Sequence, residues 1–243
     1  MNLNLSASLN IFKLIARPSL CLPHATVATF NDLPVPLDQL FSKPGRSVDI
    51  RAVVLDKDDC FAYPEQSDVY DSYKVEHNAC LLPFPQQRDC RLLRAVDQVL
   101  TRQKRFDALR EAYPGRRLLI VSNTAGATSW DRDGTLASHV QKATGVPVLS
   151  HRVKKPGCGH EIMAYFKDHP EAGVTSPSQI AVVGDRLATD MMLANQMGSY
   201  GIWVKDGVVP LGEKSVFSRI ERRIGPMLLA RGYSAPDPVS PFE

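Results

Sequence analysis

Five short apolar runs recur along this chain, and helical patterns fill the stretches between them. The runs are 51–55 (RAVVL), 117–121 (RLLIV), 146–149 (VPVL), 180–183 (IAVV) and 200–204 (YGIWV). They are nearly continuous in apolar residues and lack polar alternation, as expected of strands covered on both faces. Between them, Leu92, Leu93, Val96, Val99 and Leu100, then Phe106, Leu109 and Ala112, fall at helical spacing within 89–112. Shorter helices fit 135–143, 157–168 and 187–197. The alternation predicts an α/β fold, a doubly wound, Rossmann-like parallel sheet of about five strands. The 243 residues, 44% of them hydrophobic, suffice for one large domain with extensions and a sizeable core.

Three segments stand outside this rhythm. Residues 60–88 carry Pro64, Pro83 and Pro85 with no sustained period, and read as a loop or flap inserted in a domain spanning 32–210. Residues 211–243 read as a basic helical extension, with Lys214, Arg219, Arg222 and Arg223, followed by a Pro-rich tail. Residues 1–31 hold no Asp or Glu. Read as a helix, Leu5, Leu9, Phe12 and Ala16 form one stripe, and Ser6, Asn10, Lys13 and Arg17 another. The pattern suits an amphipathic segment at a membrane surface, a helix docked on the domain, or a transit peptide.

Other quantities narrow the class. A formal charge of +3 gives no reason to expect nucleic acid. The five cysteines form no CxxC pair, which argues against a disulfide framework or a zinc site. No apolar run is long enough to span a bilayer. A Cys-x5-Arg loop is absent, since Gln86 and Val96 stand where the arginine would follow Cys80 and Cys90. GxxxxGK[ST] and GxSxG are also absent.

In an open parallel sheet, ligands bind at the carboxyl ends of the strands. The first run is followed by Asp56-Lys57-Asp58-Asp59 and the second by Ser122-Asn123-Thr124. Lys154-Lys155-Pro156 comes shortly after the third, and Gly184-Asp185-Arg186 with Thr189-Asp190 after the fourth. Four strands thus deliver polar groups to one edge. A divalent cation such as Mg2+ takes carboxylate ligands, which Asp56 and Asp185 can supply. Ser122 and a lysine of the 154/155 pair can neutralise a phosphoryl group. An aspartate can attack phosphorus, and a second carboxylate can handle the protons. Taken alone, each piece has a plainer reading: a DxD pair as a helix cap or turn, the lysines as solvated surface, His151 and His160 as structural.

DKDDC, SNT, KKP and GDRLATD, in this order, resemble the four motifs of the haloacid dehalogenase (HAD) phosphatase superfamily. The likeness is strongest to the fungal mitochondrial phosphatidylglycerophosphate phosphatases, on "PSLCLPH…FNDLP", "SNTAG", "HRVKKPGC" and "VVGDRLATDMMLANQMGSYGIWV". The resemblance implies Mg2+-dependent removal of the terminal phosphate of phosphatidylglycerophosphate through an aspartyl-phosphate. It also implies a role in cardiolipin biosynthesis at the matrix face of the inner mitochondrial membrane. Residue by residue, it implies Asp56 as nucleophile and Asp58 as acid/base. Ser122, Asn123 and Lys155 or Lys154 would bind phosphate. Asp56, Asp58, Asp185 and Asp190 would surround the metal. Lys155 is the favoured lysine because it directly precedes Pro156, a residue suited to a helix start. Asp59 stands where the family often has Gly or Asn and reads as a turn residue; Cys60 reads as packing.

Only 33 positions separate Ser122 from Lys155, so no large cap domain fits between them. An open site suits a phosphate on something large: a lipid, a protein or a nucleic acid end. Residues 88–117 hold nine Arg or Lys against four acids, which favours a phospholipid substrate on an anionic membrane surface. A solvated helix face explains the same charges. The rival readings are a HAD-type phosphatase of another phosphoester and a non-catalytic membrane-associated scaffold. A homo-oligomer is compatible with the sequence, which does not specify one.

Overall fold

Four of the predicted strands form side by side, all parallel, in a five-stranded sheet. The computed structural model describes residues 16–41, 48–64 and 104–238. In chain order the strands are β1 (Ala25–Val27), β2 (Ala52–Leu55), β3 (Leu118–Ile120), β4 (Ile180–Gly184) and β5 (Tyr200–Val204). Their order across the sheet is β1-β5-β4-β2-β3. The chain passes from β2 to β3 on one side, then crosses back to place β4 on the other side of β2. The crevice between the carboxyl ends of β2 and β4 is therefore the topological switch point, where an α/β sheet binds its ligand.

Side chains alternate across the sheet and feed a core on each face. Val53, Leu55, Ile120 and Val183 join Phe106, Leu109 and Tyr113 on one side. Val54, Leu119 and Val182 join Ile162, Phe166 and Leu193 on the other. The covering helices are α1 (described over 104–112), α2 (Thr135–Thr144), α3 (Gly159–Asp168), α4 (Met192–Met197) and α5 (Val216–Ala230). A π-helical turn, Leu187–Met191, leads into α4. Among the described residues, no helix is long and apolar enough to cross a membrane.

Two expectations about the sheet need correction. The run 146–149 is no strand of its own: Val148 makes a single bridge to Ile120. Pro147 has no N–H to extend the ladder, although its carbonyl accepts from Ile120 at 2.9 Å. The fifth strand is instead β1, a three-residue stretch beside β5. Residues 18–31, grouped by the sequence with the N-terminal segment, belong to the sheet domain, where Cys21 and Leu22 are fully buried. Asn195 fixes this segment by donating to the carbonyls of Leu20 (2.7 Å) and Leu22 (2.9 Å). Residues 1–15 and most of the 60–88 insertion lie outside the described residues.

Candidate active site

Asp56 is the first residue past β2, and its N–H donates to the Val183 carbonyl at 2.8 Å. That bond carries the parallel ladder one step beyond the strand and points the site at β4. Across the switch point, Asp185 follows β4 directly. The π-helical turn then swings Asp190 back beneath both. Gly184 is needed for this return, because a Cβ there would collide with the Asp190 side chain. Carboxylate oxygens of Asp56, Asp185 and Asp190 lie within 4.8 Å of one another, and all three residues are buried.

A lysine sits among these acids. The Lys155 ammonium lies 2.6 Å from Asp56 Oδ1 and 2.7 Å from Asp190 Oδ1. Burial alone would lower the Lys155 pKa, but Asp190 and Asp56 outweigh it and hold the lysine charged. This ammonium, with the Arg186 guanidinium acting on Asp185, does not offset three buried carboxylates. Burial, followed by the Asp190 charge, pushes Asp56 up to about 7 despite Lys155. Burial, Asp56 and Asp190 likewise push Asp185 well above the usual carboxylate range. Asp185 Oδ1 is buried with no hydrogen-bond partner among the described residues. An orphaned carboxylate oxygen beside two more carboxylates fits a hard divalent cation, which would neutralise the excess charge.

Asp58 lies outside this trio, although the sequence reading counted it among the metal ligands. Its Oδ2 accepts from Thr124 Oγ1 at 2.6 Å and from Ser122 Oγ at 3.0 Å, and its Oδ1 pairs with Lys57. Burial would raise its pKa, but Lys57, Thr124 and Ser122 together lower it. The Ser122 hydroxyl, expected to hold phosphate, is thus turned onto Asp58, together with that of Thr124. Asn123 Oδ1 accepts from the Lys155 N–H at 2.8 Å, so this side chain positions the lysine loop.

The two lysines separate cleanly. Lys155 is buried in the site, while Lys154 is exposed, its ammonium 5.9 Å from the centre of the Trp130 ring. The structure thus brings Lys155, and not Lys154, to the acidic cluster, and not through a helix started by Pro156: α3 begins only at Gly159. His151 is buried beneath the site, with Nε2 2.9 Å from the Ser122 carbonyl oxygen and Nδ1 2.8 Å from that of Val153. It ties the Ser122 loop to the Lys155 loop.

Asp59 adopts left-handed backbone angles, with φ 62°, as a turn residue should. Its carboxylate is engaged by other partners than the acidic trio. It accepts from the N–H groups of Val208 (2.9 Å) and Val209 (2.6 Å) and pairs with Lys214. This clamp draws residues 209–218 over the site, where Val209, Lys214, Ser215 and Ser218 form one wall of a cavity of about 370 Å3. Trp130 and Pro64 contribute to the remaining lining, and the acidic trio's Asp56 and Asp185 are reached from it.

Sequence reasoning missed Lys57, Thr124, Lys214 and Glu221. Thr124 carried a signal, a second hydroxyl two positions after Ser122. Glu221 is buried and accepts from the N–H groups of Leu187 and Ala188, both at 3.2 Å, which caps the turn bearing Asp190. Nothing local in the sequence marks Lys214 or Glu221 for these roles.

A parallel α/β sheet with buried carboxylates and a lysine converging at its switch point is the kind of site that suits an enzyme of phosphoryl transfer. The comparisons place it more narrowly. A family model for mitochondrial PGP phosphatases matches residues 5–209, and the chain belongs to that family. It is 41% identical over 206 residues to the mitochondrial phosphatidylglycerophosphatase of Saccharomyces cerevisiae, covering 85% of this chain and 89% of that protein. It is 33% identical over 198 residues to a probable mitochondrial phosphatidylglycerophosphatase of Schizosaccharomyces pombe, covering 80% and 78%. A chloroplastic phosphatidylglycerophosphate phosphatase of Chlamydomonas reinhardtii is 36% identical over 129 residues, covering 53% of this chain and 41% of that protein. No solved structure matches the chain significantly.

Proposed function

We propose that this protein is a HAD-type phosphatase that converts phosphatidylglycerophosphate to phosphatidylglycerol and inorganic phosphate. The observation that carries the reading is the buried cluster of Asp56, Asp185 and Asp190 with Lys155 among them, in a chain whose relatives are named for this reaction. The same relatives support a mitochondrial setting. The inner membrane's matrix face and a step in cardiolipin biosynthesis extend that reading.

Asp56, Asp185 and Asp190 would hold Mg2+, which supplies charge neutralisation at the phosphoryl oxygens. Asp56 Oδ attacks phosphorus, and the bond from phosphorus to the glycerol oxygen breaks. Asp58 gives its proton to that oxygen, and phosphatidylglycerol leaves. Water then attacks the aspartyl-phosphate. Asp58 takes the water proton, the bond to Asp56 breaks, and phosphate is released with both aspartates restored.

The geometry suggests how Asp58 comes to carry a proton. Ser122 and Thr124 hold it as a carboxylate now. A phosphoryl group that recruits those hydroxyls removes two of the contacts that lower the Asp58 pKa. Lys155 keeps Asp56 aligned and its charge partly balanced.

The test is phosphate release by the purified full chain from phosphatidylglycerophosphate in mixed micelles, with Mg2+ and with a chelator. Soluble phosphate esters serve as comparison substrates. Mg2+-dependent release that strongly favours the lipid is expected. A better rate on a soluble ester would overturn the lipid assignment, and undiminished release after chelation would overturn the metal.

A further inference from the structure

We infer that the solvent face of α5, which starts at the mouth of the active-site cavity, is the surface on which an anionic phospholipid bilayer docks. The inference rests on the lipid-phosphate reading of the site and assigns the surface that brings the site to its substrate.

The buried side of α5 is regular. Glu221, Gly225 and Leu228 face the domain, and Gly225 packs tightly against Leu187 and Trp203. The opposite side bears Val216, Ile220, Arg223 and Met227 at spacings of four, three and four, which places them on one stripe. Val216 is 58% exposed, and Phe217, Ile220 and Met227 are each exposed by more than a third. Arg219 and Arg223, one turn apart, are exposed along this stripe. The helix contains one acid, Glu221, and that residue is buried beneath it. The outward face therefore offers only apolar and cationic groups.

This combination matches the chemistry of an anionic lipid surface. Apolar side chains enter the boundary between headgroups and acyl chains, while arginines meet the phosphates. The position of the helix reinforces the match. Ser215 and Ser218, in its first turn, line the cavity that holds Asp56 and Asp185. On the same cavity, Trp130 is 61% exposed, with the Lys154 ammonium over its ring. An aromatic ring beside a cation suits the membrane interface as well. A bilayer resting on α5 would thus meet the cavity mouth directly, with a headgroup phosphate within reach of the site.

The test is flotation of the full chain with phosphatidylcholine vesicles, with and without phosphatidylglycerol. It compares the wild type with the pair Arg219→Glu and Arg223→Glu and with the pair Val216→Ser and Ile220→Ser. The wild type should float with the anionic vesicles and much less with the neutral ones. Each lost cation weakens binding roughly fivefold, so the arginine pair should bind about 25-fold more weakly or worse. The apolar pair should also lose binding. Hydrolysis of a soluble phosphate ester should stay at the wild-type level in both, which separates docking from folding and catalysis. Variants that float like the wild type would overturn the surface, while micellar hydrolysis would still support the lipid assignment. Failure to hydrolyse the lipid, with flotation lost in the variants, would leave the surface standing and overturn the substrate. Variants that change sedimentation mass but not flotation would make this face a contact between copies and overturn its membrane role.

Discussion

Lys214 pairs with Asp59 across 155 residues of chain, ammonium against carboxylate, with both side chains largely buried. Asp59 already satisfies two backbone N–H groups, so the lysine completes its charge balance. Lys214→Met strands a buried carboxylate, which typically costs about 3–5 kcal/mol. Asp59→Asn in the same chain should recover part of that loss, because Asn tolerates the left-handed turn. A thermal-unfolding double-mutant cycle measures the coupling. Equal and additive losses would show that the pair contributes no mutual stabilisation.

Asp185→Asn should separate metal binding from folding. The wild type gathers three carboxylates around one ammonium, with an oxygen of Asp185 left unpartnered. Removing that charge should raise the melting temperature of the chain in chelator. Saturating Mg2+ should reverse the ranking: at about 100 times its Kd a divalent cation stabilises the wild type by about 2.7 kcal/mol, and the variant by much less. A wild-type melting temperature indifferent to Mg2+ would count against the trio as a cation site.

Asp56→Asn should abolish phosphate release while the far-ultraviolet spectrum and sedimentation remain those of the wild type. The residue's backbone N–H, which extends the ladder to Val183, is untouched by the change. Normal turnover in this variant would remove Asp56 as nucleophile.

The neighbouring lysines should behave differently. Lys155→Met removes a donor aimed into the site, a loss on the order of 10²–10³-fold in kcat for comparable groups. Lys154→Ala loses only an exposed contact with Trp130, worth roughly 0.5–1 kcal/mol. With a soluble ester its kcat should stay within about threefold of the wild type. Comparable losses at both positions would contradict their separation in the structure.

The described cysteines should resist alkylation. Cys21, Cys60 and Cys158 are fully buried. Burial, then Asp56 and Asp185, pushes the Cys60 thiol up, and burial pushes Cys158 up to about 12. Thiolate is therefore scarce at neutral pH. In a Cys80→Ser, Cys90→Ser chain, maleimide should label the native protein slowly and the unfolded protein at once. Rapid native labelling would show that this core opens.

The site was legible in the sequence where topology does the gathering. Once the apolar runs read as parallel strands, Asp56, Ser122 and Asp185 had to meet at one edge, because each lies within two residues of a strand's end. Lys155 was legible by motif, but the physical reason lies elsewhere: Asn123 accepts its N–H. What escaped were contacts set by packing across the chain. Lys214 looked like one cation in a basic extension, and its partner lies far away in sequence. Glu221 carries no local signal, because the backbone N–H groups it accepts from, those of Leu187 and Ala188, lie more than 30 residues away. β1 has only three residues, too few for a period to declare itself, whereas the better-looking run at 146–149 contains a proline. The insertion at 60–88 and the N-terminal stripe fall mostly outside the described residues.

The pairing of β1 with β5 imposes an order of events on biosynthesis. Thr26 lies in register with Trp203, and the Gly201 N–H donates to the His24 ring 177 residues away. Of the described strands, the first to leave the ribosome must wait for the last before it has a neighbour. Closing so long a loop slows folding more than it costs stability, since each doubling of length adds only about 0.6 kcal/mol. Until β1 arrives, β5 presents an open edge able to pair with another nascent chain. A strand of only three residues thus seals one edge of the sheet, and until it does that edge stays open to other chains.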